Sequence, residues 1–176
     1  MEVLTRIVLG NGRFSVYLEV KTLFTDMTIY DHAIDAQLNR FLDSAPRCRL
    51  VVIQHKSDSE ENKALNLGMA LVEKIESLNK CDTISFQFEV ENTLIDIIRK
   101  SAFIDDVYGK TIVLENFGIL FEPQLQINVV DFFKRISQSM LTILLWPGEI
   151  RIDKLFFLTP SSNLIIKQNE INYFII

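Results

Sequence analysis

The stretch from Thr111 to Gly148 constrains the fold of this chain more than any other part. It reads TIVLEN, FGILFEPQLQI, NVVDFFKRISQS and MLTILLWPG in succession. Two short apolar runs, TIVLEN and LTILLW, flank one amphipathic helix. Neither run alternates with polar residues, which suits strands covered on both faces. Strand, helix and strand in that order predict a βαβ unit. Pro147-Gly148 marks a tight turn after the second strand.

The remainder of the chain extends the same pattern. Arg49–Gln54, with LVVI at its centre, reads as another central strand. Residues 28–43 carry Ile29, Ala33, Ile34, Leu38, Phe41 and Leu42 at helical spacing, and Ser44-Ala45-Pro46 ends that helix. Lys63–Leu78 reads as a second helix. TISFQFE, residues 83–89, alternates well enough to be a strand, with Asn92 then capping a helix TLIDIIRKSA. Lys154–Leu158 and Leu164–Gln168 read as short strands, and the tail NYFII as an edge strand. Asn11-Gly12 sits between apolar runs and predicts an N-terminal β-hairpin over residues 1–24, since both residues accept positive φ.

Alternating strands and helices predict an α/β fold with a mostly parallel sheet and helices on its faces. A boundary near Pro46 divides the chain into an N-terminal hairpin-helix appendage, 1–46, and an α/β core, 47–176. The 176 residues fit one domain with such an appendage.

Composition excludes several functions. No apolar run reaches the roughly 18 residues that cross a bilayer. MEVLTRIVLGNGRF lacks a basic stretch followed by a long apolar block, so the expectation is a cytoplasmic protein without a signal peptide. The formal charge of −5 is a poor match to a nucleic-acid backbone, which needs clustered Lys and Arg. Cys48 and Cys81 read as free thiols. His32 and His55 have no Cys or His neighbours at zinc spacing, so no metal site is expected. No nucleophile–base–acid pattern stands out.

One region resembles a nucleotide site with its working parts removed. A P-loop places G-x-x-x-x-G-K-[ST] after a strand, so that backbone N–H groups and a lysine meet the phosphates and a hydroxyl meets magnesium. Here LVVIQ leads into HKSDSEENKAL. With Lys63 in the lysine position, Ser57 and Asn62 occupy the glycine positions and Ala64 the hydroxyl position. Asp58, Glu60 and Glu61 bring negative charge to the same place. The plainer reading of SDSEENK is a helix start capped by serine, with acids favouring the helix dipole. Glu115 also has two readings. It ends a strand where P-loop ATPases carry the metal-coordinating Walker B carboxylate. Alternatively it bonds backbone groups of the 116–118 turn. Phe117 and Phe121 follow that strand and Trp146 ends the next; each reads either as core or as part of an interface.

The run VLENFGILFEPQLQINVVDFFKRISQS…TILLWPG resembles the small P-loop protein of BREX-type phage-exclusion systems. The resemblance lies at Glu115 and Asn116, at Ile119, Leu120, Phe121, Pro123 and Leu125, and at Trp146, Pro147 and Gly148. It implies a three-layer P-loop-like domain and a place in a bacterial anti-phage defence complex. The chain departs from that family at the phosphate loop, so nucleotide binding is not carried over, and no cofactor is implied. The resulting expectation is a non-catalytic subunit or adaptor whose partners are other protein subunits. Lys63, Glu115 and Asn116 mark the degenerate nucleotide site, and Phe117, Phe121 and Trp146 are interface candidates. The alternatives are a divergent ATPase using Lys63 and Glu115, and an accessory protein associated with nucleic acid.

Overall fold

Strands β1 (Leu50–Gln54), β4 (Gly109–Glu115) and β5 (Leu141–Trp146) form the centre of the molecule. In this computed structural model the described residues are 32–44, 46–54, 64–78, 83–158 and 164–176. All six residues of β5 are buried, as are the first four of β1. β5 pairs in parallel with β1, Leu50 opposite Thr142 and Gln54 opposite Trp146. It pairs in parallel with β4 on its other side. Beyond β1 lies β9 (Phe174–Ile175), again parallel. The outer edge of β4 is shared. Antiparallel β3 (Phe103–Asp105) pairs with its first residues, and parallel β2 (Leu65–Asn66) pairs with Leu114 and Glu115.

Side chains along each central strand alternate between two apolar layers. Leu50, Val52, Ile112, Leu114, Leu144 and Trp146 face one layer. Helices α2 (Leu67–Leu78), α3 (Thr83–Ser101) and α4 (Val129–Ser137) cover it. Val51, Ile53, Val113, Leu141, Ile143 and Leu145 face the other, where α1 (His32–Asp43) contributes Leu38, Phe41 and Leu42. The architecture is therefore a three-layer α/β fold around a mostly parallel sheet. The absence of polar alternation in these strands follows from both faces being buried. The boundary expected near Pro46 falls between α1 and β1. Leu38 is only 1% exposed and lies in the core beneath the sheet, so α1 is one of the layers that cover it. The hairpin expected over residues 1–24 lies outside the described residues.

One element differs from the sequence expectation. Residues 83–89 are not a strand, and Asn92 caps nothing: α3 runs unbroken from Thr83 to Ser101. Ile84, Phe86 and Phe88 alternate like a strand, but Phe86, Val90, Leu94 and Ile98 recur every four residues. Val90, Leu94 and Ile98 are fully buried and Phe86 packs against the same core, whereas Phe88 is 67% exposed. Burial of each large apolar side chain contributes about 1.5–3 kcal/mol. The strand preference of TISFQFE is worth about 1 kcal/mol in all. The helical face therefore wins.

Two other boundaries also moved. The second helix begins at Leu67 rather than Lys63, because Leu65 and Asn66 are taken up by the sheet edge beside β4. The strand expectations near the C-terminus hold in shortened form. β7 (Lys154–Phe156) and β8 (Ile165–Lys167) pair antiparallel, and an unanticipated strand, β6 (Glu149–Arg151), joins them in a small second sheet. Asp105 makes a turn rather than a helix cap: its Oδ1 accepts the N–H groups of Val107 and Tyr108 at 2.8 Å and so closes the β3–β4 hairpin.

The helical reading of α3 makes opposite demands on two of its residues. Leu94→Ala should cost about 2–5 kcal/mol by cavity formation. Phe88→Glu should change stability by no more than about 0.5 kcal/mol, as at an ordinary surface site. Urea unfolding of the two variants measures both. A large loss at Phe88 would indicate a strand with residue 88 facing the core.

Candidate functional site

Open parallel sheets bind ligands beyond the carboxyl ends of their strands, and the singled-out residues gather at that edge. β4 ends at Glu115, β5 at Trp146 and β1 at Gln54. The amino end of α2 stands beside them, because β2 delivers the chain there along the end of β4.

The start of α2 is closed by the protein itself. Asn66 caps the helix, and its Oδ1 accepts the Met69 N–H at 3.0 Å. Asn116 follows β4 in a left-handed conformation, φ 46° and ψ 40°. From there its carbonyl accepts the Gly68 N–H at 3.1 Å. Its side chain Nδ2 donates to Asn66 Oδ1 at 3.0 Å. A Cβ at Gly68 would stand 3.1 Å from both the Nδ2 and the carbonyl oxygen of Asn116, so the close approach favours glycine. The free N–H groups of a helix's first turn are what an anion binds. Two of them, on Gly68 and Met69, already have partners. Glu115 adds a half-buried carboxylate one residue before the clasp. Like charges at a few ångströms repel by several kcal/mol at an effective dielectric of about 20.

Of the degenerate-site residues, the structure brings Glu115 and Asn116 to the start of α2, while Lys63 lies outside the described residues. The 116–118 turn is held by the backbone carbonyl and the side-chain amide of Asn116. Asn66 and Gly68 are the members of this cluster that sequence reading missed. Asn66, standing directly before Leu67-Gly68-Met69, carried a cap signal. Its second partner lies 50 residues away and left none.

The interface candidates separate sharply. Phe117 and Trp146 are 1% and 0% exposed, so neither offers a surface to a partner. They build an aromatic core. Phe117 lies 5.5 Å from Trp146, 5.7 Å from Phe133 and 6.0 Å from Phe157, ring centre to ring centre. The Trp146 Nε1 donates to the Phe156 carbonyl at 3.0 Å, which satisfies the buried indole N–H. Gly148 serves the same junction. A Cβ there would fall 1.9 Å from the Phe156 carbonyl oxygen and 2.6 Å from the Leu158 nitrogen. The Trp-Pro-Gly sequence thus welds the end of β5 to the small sheet. Phe121 alone of the three is partly exposed, its ring stacked on Phe157 at 4.3 Å.

Among the described residues, no group of three or more His, Cys, Asp and Glu is placed to hold a metal ion. The hydroxyl of Tyr173, a residue 3% exposed, has no hydrogen-bond partner. Burial, and then the nearby Asp153 carboxylate, push its phenol up from the ordinary value. Neutral and enclosed, it is no candidate base. Comparison of the chain with family models, with curated proteins and with solved structures finds no match in any of the three.

The clasp predicts an ordering of variants. Asn116→Ala places a Cβ residue without a local hydrogen bond in the left-handed region, at about 1–2 kcal/mol. It also forfeits a side-chain hydrogen bond of about 1 kcal/mol. Asn116→Gly forfeits only the bond, so in urea unfolding it should be the more stable of the two. Equal stability would mean that the backbone conformation at 116 carries no strain.

Proposed function

We propose that this chain is a non-catalytic α/β subunit or adaptor of a bacterial anti-phage defence complex, acting in the cytoplasm through contacts with other protein subunits. The carrying observation is the closed start of α2. Its Gly68 and Met69 N–H groups are engaged by Asn116 and Asn66, where a phosphate-binding relative would leave them free. The missing glycines and hydroxyl of the 57–64 segment and the acids within it support the same reading. The resemblance from Leu114 to Gly148 supplies the defence setting. The net charge of −5 weighs against a nucleic-acid partner. No helix among the described residues is long and apolar enough to cross a membrane.

The competing reading is a divergent ATPase built on Lys63 and Glu115. Its one favourable observation is Glu115 at the carboxyl end of a central parallel strand.

Thermal unfolding with and without millimolar ATP, ADP and magnesium separates the two readings. A ligand at about 100 times its dissociation constant stabilises by roughly 2.7 kcal/mol. For a chain of this size that raises the midpoint by roughly 5–10 °C. The adaptor reading predicts no such shift, together with co-elution with other subunits at native expression level. A shift of that size, lost in both Lys63→Ala and Glu115→Gln, would establish the ATPase.

A further inference from the structure

Leu158 is in the left-handed region, at φ 64°. Residues with a Cβ enter that region at a cost, and glycine or asparagine usually fills it. Its side chain is also 60% exposed, so burial does not repay the conformation. Strain held without an internal packing gain is typical of positions that present a side chain outward.

The surroundings of Leu158 form a platform. The Phe157 N–H donates to the Leu164 carbonyl at 2.9 Å, which brings Leu164, 37% exposed, alongside. Phe121 stacks on Phe157 from the other side. The Phe157 ring also rests on Gly118, where a Cβ would come within 3.0 Å of it. It touches Trp146 at 5.8 Å, so the platform adjoins the carboxyl edge of the sheet. Exposed Glu122 follows Phe121 directly, and Glu149 stands opposite Phe156 in the small sheet. The nearby cation, Arg151, is held at 2.6 Å by Glu149 and lies over the Phe156 ring. With Glu115 at the end of β4, the rim is acidic on balance.

We propose that Phe121, Leu158 and Leu164 form a docking surface for a basic, apolar segment of a partner protein. The inference rests on the adaptor reading. Apolar side chains of the segment cover the platform, and its Lys or Arg residues meet Glu115, Glu122 and Glu149. The same acids repel a nucleic-acid backbone or an anionic lipid surface.

The test has two parts, both on the full chain. Leu158→Gly and Leu158→Asn are first unfolded in urea. A presented side chain predicts a midpoint that stays or rises, since the strain is relieved. A lowered midpoint in both variants makes Leu158 a packing residue and overturns the proposal. A photo-crosslinking benzoylphenylalanine is then placed at 158 in the source cells at native level, with position 104 as control, because Ile104 is 64% exposed on the opposite edge strand. The expected result is a crosslink at 158 well above that at 104, to a segment carrying apolar residues and an excess of Lys and Arg. A crosslink no stronger than the control, or one to an acidic segment, overturns this surface. If the chain still co-elutes with other subunits in that case, the adaptor reading stands without it. A chain that elutes alone removes both.

Discussion

Burial of both faces of β1, β4 and β5 is the constraint on which the other features depend. Leu50, Val51, Val52, Val113, Leu114, Leu141 and Leu144 are all essentially inaccessible. A five- to seven-residue strand with apolar side chains on both sides is stable only between two layers. That requirement places α2, α3 and α4 on one face and α1 on the other. It also brings the strand ends, with Glu115 and Trp146, to a common edge. The dense aromatic core around Phe117 follows, since the 117–121 turn leaving β4 must fold over the helix-covered face rather than away from it.

At that edge the molecule satisfies its own polar groups. Asn66 and Asn116 hydrogen bond to each other and to the first turn of α2, in positions where an anion-binding fold keeps donors open. Opening the clasp would leave the Gly68 and Met69 N–H groups without partners, and Asn116 in a left-handed conformation without its compensating bond. The same edge that closes to phosphate displays a strained leucine beside stacked phenylalanines. A surface that holds its polar groups inward and its apolar groups outward is suited to another protein.

Much of this architecture could be read from the residues. TIVLEN and LTILLW declare themselves as buried strands by lacking alternation. Asn128 announces α4: its side chain accepts the Asp131 N–H, in the spacing a cap requires. The first half of α3 was illegible for a physical reason. Ile84, Phe86 and Phe88 satisfy a strand's period locally, and only the contacts of Phe86, Val90, Leu94 and Ile98 with the sheet select the helix. The clasp was illegible because its strongest bond joins residues far apart in the chain. Asn116 was visible as part of a family-like segment, Asn66 only as a local cap. Trp146 and Gly148 were visible as a motif, but their purpose depends on the backbone of Phe156 and Leu158, which the sequence does not place beside them.

The central claim is that the amino end of α2 is occupied by Asn66 and Asn116 and takes no phosphate. The most direct measurement follows the backbone amides of Gly68 and Met69 by nuclear magnetic resonance in ¹⁵N-labelled protein during titration with magnesium and ATP. The closed clasp predicts that both resonances stay in place to millimolar nucleotide and that both amides exchange slowly with solvent. Saturable shifts centred on these two amides, with their protection from exchange changing as nucleotide binds, would contradict it.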